Sequence, residues 1–275
     1  MGAAGTLQPN KESEPLRGRY FVAALAQTAL PWPDRFILLV HPELHTHCDH
    51  STPPLQAVNM PIVILDAQDE DVPRLFAICS LAFGQTEPAW RAFYPNRWTA
   101  AGRIAGAERY LKTKRSDPNA TYHKAVDTYT GEIVGFSIWT VYQERLLEWP
   151  PAEAPATTYW DNADDVEYAM SLIGYIMEQR TEYIKSLKGN AVHLNTLAVV
   201  PAYQRRGVGG KLMSWGLKRA DELGFESFLE ASVMGRGLYE KHGFVFQRDM
   251  AIFVPEKFAD RERCCYASLI RPRRV

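Results

Sequence analysis

Cysteine is scarce in this sequence: Cys48, Cys79, Cys264 and Cys265 are the only four in 275 residues, and no two form a CxxC pair. A disulfide framework is therefore not what holds a chain of this size together. Adjacent Cys264 and Cys265 would point to opposite faces of a strand, which disfavours their pairing. A reducing, cytoplasmic setting is expected. An excess of one charge is also missing. The chain carries 31 Lys and Arg against 32 Asp and Glu, a formal net charge of -1. No global field draws in nucleic acid or an acidic membrane surface, and neither is expected as a partner. A third absence is any run approaching the ~18–20 apolar residues of a membrane helix. The nearest, Phe21 to Leu30 behind Arg17 and Arg19, faintly resembles a signal-peptide core. Its late start, its Gln27 and Thr28, and the acidic Glu12 and Glu14 upstream argue against that reading. No internal repeat is visible.

What is present divides near Met60. Residues 1–59 carry scattered prolines, no helical period and short apolar runs, the pattern of a poorly structured N-terminal extension. Within it, HPELHTHCDH (His41 to His50) gathers four histidines and a cysteine. Imidazole and thiolate are zinc ligands, but the spacing matches no standard finger and no scaffold surrounds it, so no metal is expected. From Met60 to the C-terminus the pattern becomes orderly and reads as one domain. Ile62–Leu65 is a short buried strand. Val72, Leu75, Phe76, Ile78, Cys79 and Phe83 then recur at helical spacing. A second helix is expected near Ala101–Lys114, then two strands, Thr121–Thr128 and Glu132–Tyr142, joined at Thr130-Gly131. A Pro/Ala loop (Glu148 to Asp161) precedes a long helix capped by Asp164 or Asp165. Beyond it come a strand (His193–Val200), a helix (Arg206–Leu223), a strand (Phe225–Ser232), a short helix through Leu238–Lys241, and two final strands, Phe244–Arg248 and Tyr266–Ile270. Alternating strands and helices of this kind make an α/β (α+β) domain.

The chemistry concentrates in Leu194 to Phe225. A strand ends at Pro201, which cannot donate a ladder bond. A short turn then enters a helix through Arg206-Gly207-Val208-Gly209-Gly210. Three glycines let the backbone approach a bulky ligand closely. The first amides of the helix have no internal acceptor and lie at its positive pole, an arrangement that holds phosphate or diphosphate. Arg205, Arg206 and Lys211 add countercharge. A Walker loop is excluded, because Lys211 is followed by Leu212 and no glycine sits at the required distance upstream. A dinucleotide fingerprint is excluded because its third glycine position is Leu212.

With Gln204, Gly207 and Gly209 in the pattern Gln/Arg-x-x-Gly-x-Gly/Ala, and LAVVP before them, the segment resembles the acetyl-CoA-binding motif of the GNAT superfamily of N-acyltransferases. GRGLYEKHGF (Gly235–Phe244) is similar to that family's LYxKxGF segment. The resemblance implies a mixed, mainly antiparallel sheet flanked by helices, acetyl-CoA as co-substrate, and direct transfer of acetyl to an amine of a small molecule or peptide. It further implies that the backbone of Leu197, Ala198 and Val199 pairs with the pantetheine arm. Gln204, Arg205, Arg206, Gly207, Val208, Gly209 and Gly210 would hold the diphosphate, and Tyr239 would protonate the departing thiolate. Two positions depart from the pattern. Ser232 stands where many members carry asparagine, and is kept as a cofactor contact. Thr196 stands where many carry glutamate, so the motif assigns no general base. Glu230 and then His193 are the candidates, each also readable as a structural residue. An acyltransferase using longer acyl chains or a hydroxyl acceptor, and a CoA-binding module without turnover, remain alternatives.

Overall fold

The computed structural model describes residues 61–146 and 159–274. The extension, its histidine tract and most of the Pro/Ala loop lie outside them. The strands are β1 (Ile62–Asp66), β2 (Ala120–Asp127), β3 (Ile133–Tyr142), β4 (Ala191–Val199), β5 (Glu226–Ala231), β6 (Val245–Ala251) and β7 (Cys265–Arg271). The helices are α1 (Val72–Phe83), α2 (Pro88–Phe93), α3 (Ala100–Ser116), α4 (Ala163–Ser186), α5 (Val208–Leu223) and α6 (Arg236–Lys241). The strands form one sheet in the order β1-β2-β3-β4-β5-β7-β6. Every neighbouring pair is antiparallel except β4 with β5, which is parallel. The expected mixed, mainly antiparallel sheet flanked by helices is therefore what the chain forms.

Apolar side chains on the two faces of the sheet bury two sets of helices. On one face α1, α2 and α3 pack over β3 and β4 through Leu75, Phe76, Tyr110, Phe136, Ile138 and Ala198. The first half of α4 packs against α2 and β7 in a cluster that holds Leu172, Ala89 and Tyr266. On the other face α5 and α6 lie over β3, β4 and β5, with Trp139, Leu194, Met213, Leu229 and Tyr239 in one cluster. Gly216 seats α5 there, since a Cβ at that residue would stand 2.1 Å from the Trp139 ring. Alanine at 216 would overpack this contact, at a cost of about 1–3 kcal/mol.

The ends of the helices follow local chemistry. Asn162, rather than Asp164 or Asp165, caps α4: its side chain accepts from the Asp165 amide at 2.8 Å. Gly224, at φ 65°, closes α5 with the Phe225 amide bonded to the Ala220 carbonyl, a glycine-dependent stop. Three further expectations need correction. β1 is an edge strand buried mainly at Ile62, with Leu65 49% exposed, so it is not a fully buried strand. α2 was not expected, because a six-residue helix with Pro88 at its start carries too little period to read. Helix α5 begins at Val208 rather than Arg206, because Gly207 is left-handed. The Cys264 side chain is buried and Cys265 exposed, as opposite faces require.

Candidate active site

The parallel pair β4–β5 is the place where the sheet opens. Its register runs only from Ala191–Glu226 to His193–Phe228. On its other edge β4 stays paired with β3 as far as Val199–Gly135, with a break: Ile138 faces Thr196 and Trp139 faces Leu194, leaving Asn195 as an extra residue. A bulge bends and twists the strand that carries it. Here it turns β4 away from β5 and changes which side chains face which helices. Val192 and Leu194 lie on the α5 face before it, and Ala198 lies on the α1 face after it. From Leu194 to Val199 the β5 side of β4 therefore has no ladder partner in the sheet. Leu197, Ala198 and Val199 stand on this open edge.

The turn after β4 is held by side chains. The Gln204 amide donates to the Val199 carbonyl at 3.0 Å. Arg205 has φ 61° and Gly207 φ 82°, an alternation that turns successive amides toward one side. The first intrahelical bond of α5 runs from the Lys211 amide to the Gly207 carbonyl. The amides of Val208, Gly209 and Gly210 thus have no carbonyl within the helix to bond. The glycines differ in purpose. A Cβ at Gly207 would meet nothing within 4 Å, whereas one at Gly209 would stand 2.9 Å from Leu238. Gly207 answers to conformation and open approach, and Gly209 to packing against α6. Arg205 and Arg206 are exposed at this mouth. The Lys211 ammonium donates to the Ile62 carbonyl of β1 at 3.2 Å.

Tyr239 on α6 is 8% exposed and packs with Leu194, Leu197 and Phe244, beneath the diverging part of β4. Its ring meets Phe244 edge-on at 6.1 Å. Burial pushes the phenol above its ordinary range, so it stays protonated. Ser232 lies just beyond β5, where its carbonyl accepts from the Gly235 amide.

Glu230 and His193 lie on the other face of the sheet, against α4. Arg180 clamps Glu230: Nε lies 3.1 Å from each carboxylate oxygen, and one terminal guanidinium nitrogen lies 2.8 Å from Oε2. His193 Nε2 stands 3.3 Å from the same oxygen, and its ring stacks on Phe228 at 4.5 Å. Burial alone would raise the Glu230 carboxyl, but Arg180 and His193 together hold it well below the usual carboxylate range. Burial, reinforced by Arg180, lowers the His193 pKa, so that imidazole is neutral. An ionised carboxylate only accepts, so Nε2 carries the imidazole proton. The three side chains close the sheet where the β4–β5 ladder stops.

The sequence did not single out Glu87. It stands at the start of α2, half-buried, and burial raises its carboxyl above the ordinary range despite Arg91 nearby. Helix α2 bridges two clusters. Trp90 packs on the group containing Ile138 and Ala198, while Ala89 and Phe93 pack on the group containing Tyr266 and Cys264. Glu87 thus begins a helix that spans from β3 and β4 to β7 on the α4 face. Its only signal in the sequence is an acidic residue opening an otherwise aromatic stretch. Among the described residues, no cluster of His, Cys, Asp and Glu has the makings of a metal site, and no helix is long and apolar enough to cross a membrane.

A sheet parted between two parallel strands, with a glycine-bearing turn and a helix start at the parting, is the architecture of an acyltransferase. The chain belongs to the Acetyltransferase (GNAT) family, which residues 85–244, more than half of the chain, match. No curated protein sequence matches it. Solved structures share the fold at low identity. One from Corynebacterium glutamicum, described as histone acetyltransferase HPA2 and related acetyltransferase, is 20% identical with a TM-score of 0.50, over 78% of this chain and 98% of its own. A mosquito arylalkylamine N-acetyltransferase like 5b is 16% identical with a TM-score of 0.52, over 76% of this chain and 99% of its own. A Drosophila melanogaster polyamine N-acetyltransferase that forms N-acetylagmatine is 15% identical with a TM-score of 0.52, over 76% and 99%.

Proposed function

We propose that the protein transfers acetyl directly from acetyl-CoA to a primary amine of a small molecule or peptide. The observation that carries this reading is the open edge of β4 beside the Gly207 turn. Acetyl-CoA supplies the activated thioester. The residues present fit it: unpaired backbone from Leu194 to Val199 suits an amide-bearing arm laid alongside as an added strand. The amides that open α5, with Arg205 and Arg206 at the mouth, suit the diphosphate. Gly207 leaves free the space that a Cβ would fill.

An alkylammonium must lose a proton before its nitrogen can attack. Glu230 is a poor acceptor for it, because the Arg180 guanidinium and the His193 imidazole both bond its carboxylate and hold it ionised. We propose Glu87 as the proton acceptor, because it opens the helix that reaches from β3 and β4 to β7 on this face and because partial burial raises its carboxyl, and give Glu230 and His193 the task of holding β4 and β5 at their parting. Tyr239, kept as the neutral phenol by burial, then donates to the departing thiolate from the opposite face of the sheet. Structural neighbours described as arylalkylamine and polyamine acetyltransferases are in keeping with an amine acceptor.

The test is an acceptor screen with purified full-length protein and acetyl-CoA, reading released thiol. Thiol release that requires an amine, with acetylated amine found by mass spectrometry, supports the reading. Acetyl-CoA binding with no transfer to any amine would favour a CoA-binding module.

A further inference from the structure

The cofactor turn is braced by a residue outside every motif. Asp127, the last residue of β2, is 1% exposed. Its Oδ1 accepts from the Tyr129 amide at 2.9 Å, and its Oδ2 accepts from the Tyr203 hydroxyl at 2.9 Å. The Tyr129 amide and the Tyr203 hydroxyl together hold the carboxyl below its ordinary range, so it is ionised at neutral pH. Tyr203 lies in the single 3-10 turn (Pro201–Tyr203) between β4 and the glycines. The Arg206 guanidinium lies over its ring at 5.6 Å from the centroid. Tyr203 is thus a post fixed at one end to the β2–β3 hairpin and carrying, on its face, an arginine at the mouth of the turn.

We propose that Asp127 and Tyr203 are positioning residues for the cofactor diphosphate, acting by holding Arg206 and the turn from Gln204 to Gly207 in the shape that receives it. In this proposal both act through the turn and Arg206 rather than by contact with the cofactor. The hydrogen bond from a phenol to a buried carboxylate is charge-assisted and directional, so it fixes the plane of the ring on which Arg206 rests. The proposal rests on the reading of this turn as the CoA site.

Calorimetric titration with CoA tests it, since no acceptor is needed. Tyr203→Phe removes one oxygen and keeps the ring, so it is the leading variant, with Asp127→Asn and Arg206→Gln beside it. Thermal melts confirm that each variant is folded. Tyr203→Phe and Arg206→Gln are each expected to weaken CoA binding about three- to tenfold, as the loss of one positioned charge contact does. Because both act through Arg206, the double variant should be no more than twofold weaker than Arg206→Gln alone. Asp127→Asn should follow Tyr203→Phe. In turnover, Tyr203→Phe should keep kcat at saturating acetyl-CoA within twofold while its KM for acetyl-CoA rises. CoA affinity within twofold of the unaltered protein in Tyr203→Phe, or losses that multiply in the double variant, would overturn the proposal. Absence of CoA binding by the unaltered protein overturns the cofactor reading itself, and this proposal with it.

Discussion

Replacing Arg180 by methionine is the sharpest probe of the clasp at the parting of β4 and β5. The Glu230 side chain is 10% exposed and takes three guanidinium contacts between 2.8 and 3.1 Å. Removing one partner of a buried pair leaves an uncompensated charge, a loss of about 3–5 kcal/mol. Replacing both, as Arg180→Met with Glu230→Leu, removes the desolvation penalty with the attraction and should cost about 1 kcal/mol or less. For a domain of this size urea unfolding has a slope near the upper end of about 1–3 kcal/mol per M. The single variant should therefore unfold roughly 1–2 M earlier at pH 7, and the double variant close to the unaltered protein. The pH dependence has a definite sign. Glu230 is depressed in the folded protein, so its contribution is present above the unfolded carboxylate pKa and is lost as pH falls through the folded value. In Arg180→Met the same carboxyl is raised by burial, so its penalty is felt at high pH and relieved in acid. The gap between the two proteins should shrink as pH falls from 7 toward 4.5. Tryptophan fluorescence in urea at both pH values measures this. A single-variant loss below about 1 kcal/mol, or a double variant as unstable as the sum of singles, would refute the clasp.

The proton donors and acceptors give further outcomes. Tyr239→Phe should lower kcat by about 10²-fold or more, within the usual range for a general acid, and leave CoA affinity unchanged in calorimetry. Glu87→Gln should lower kcat/KM and abolish the acid limb of its pH profile. That limb should lie above the ordinary glutamate range, since the base must be ionised and burial raises it. Glu230→Gln should keep the limb and show its loss mainly in the urea midpoint.

Much of this was legible in the sequence, for identifiable reasons. Apart from α2, the order of strands and helices from β1 to β7 could be read because β2 and β3 meet at Thr130-Gly131 and α5 stops at Gly224, places where backbone chemistry is local. The expected cofactor turn rests on Gln204, Gly207 and Gly209, which lie close together in the sequence and need no distant contact to be seen. What could not be read depends on contacts between distant residues. Nothing about Glu230 announces Arg180, fifty positions earlier, and only the folded chain shows that a carboxylate named as a base is clamped. The bulge at Asn195, which opens the sheet, carries no glycine or proline to mark it. Lys211 reads as countercharge by position, and only the folded chain shows its ammonium on the Ile62 carbonyl. Tyr203 and Asp127 lie 76 positions apart, and their bond belongs to the fold alone.

The most direct measurement is calorimetric titration of the full chain with acetyl-CoA, repeated on Gly207→Val. A β-branched residue at φ 82° is strained, and its side chain fills the space left at the mouth of the turn. The account predicts one site per chain with a dissociation constant in the micromolar range, about 10–100 µM or tighter, and at least a tenfold loss in the variant. No binding heat up to about 1 mM acetyl-CoA, or equal affinity in Gly207→Val, would contradict it.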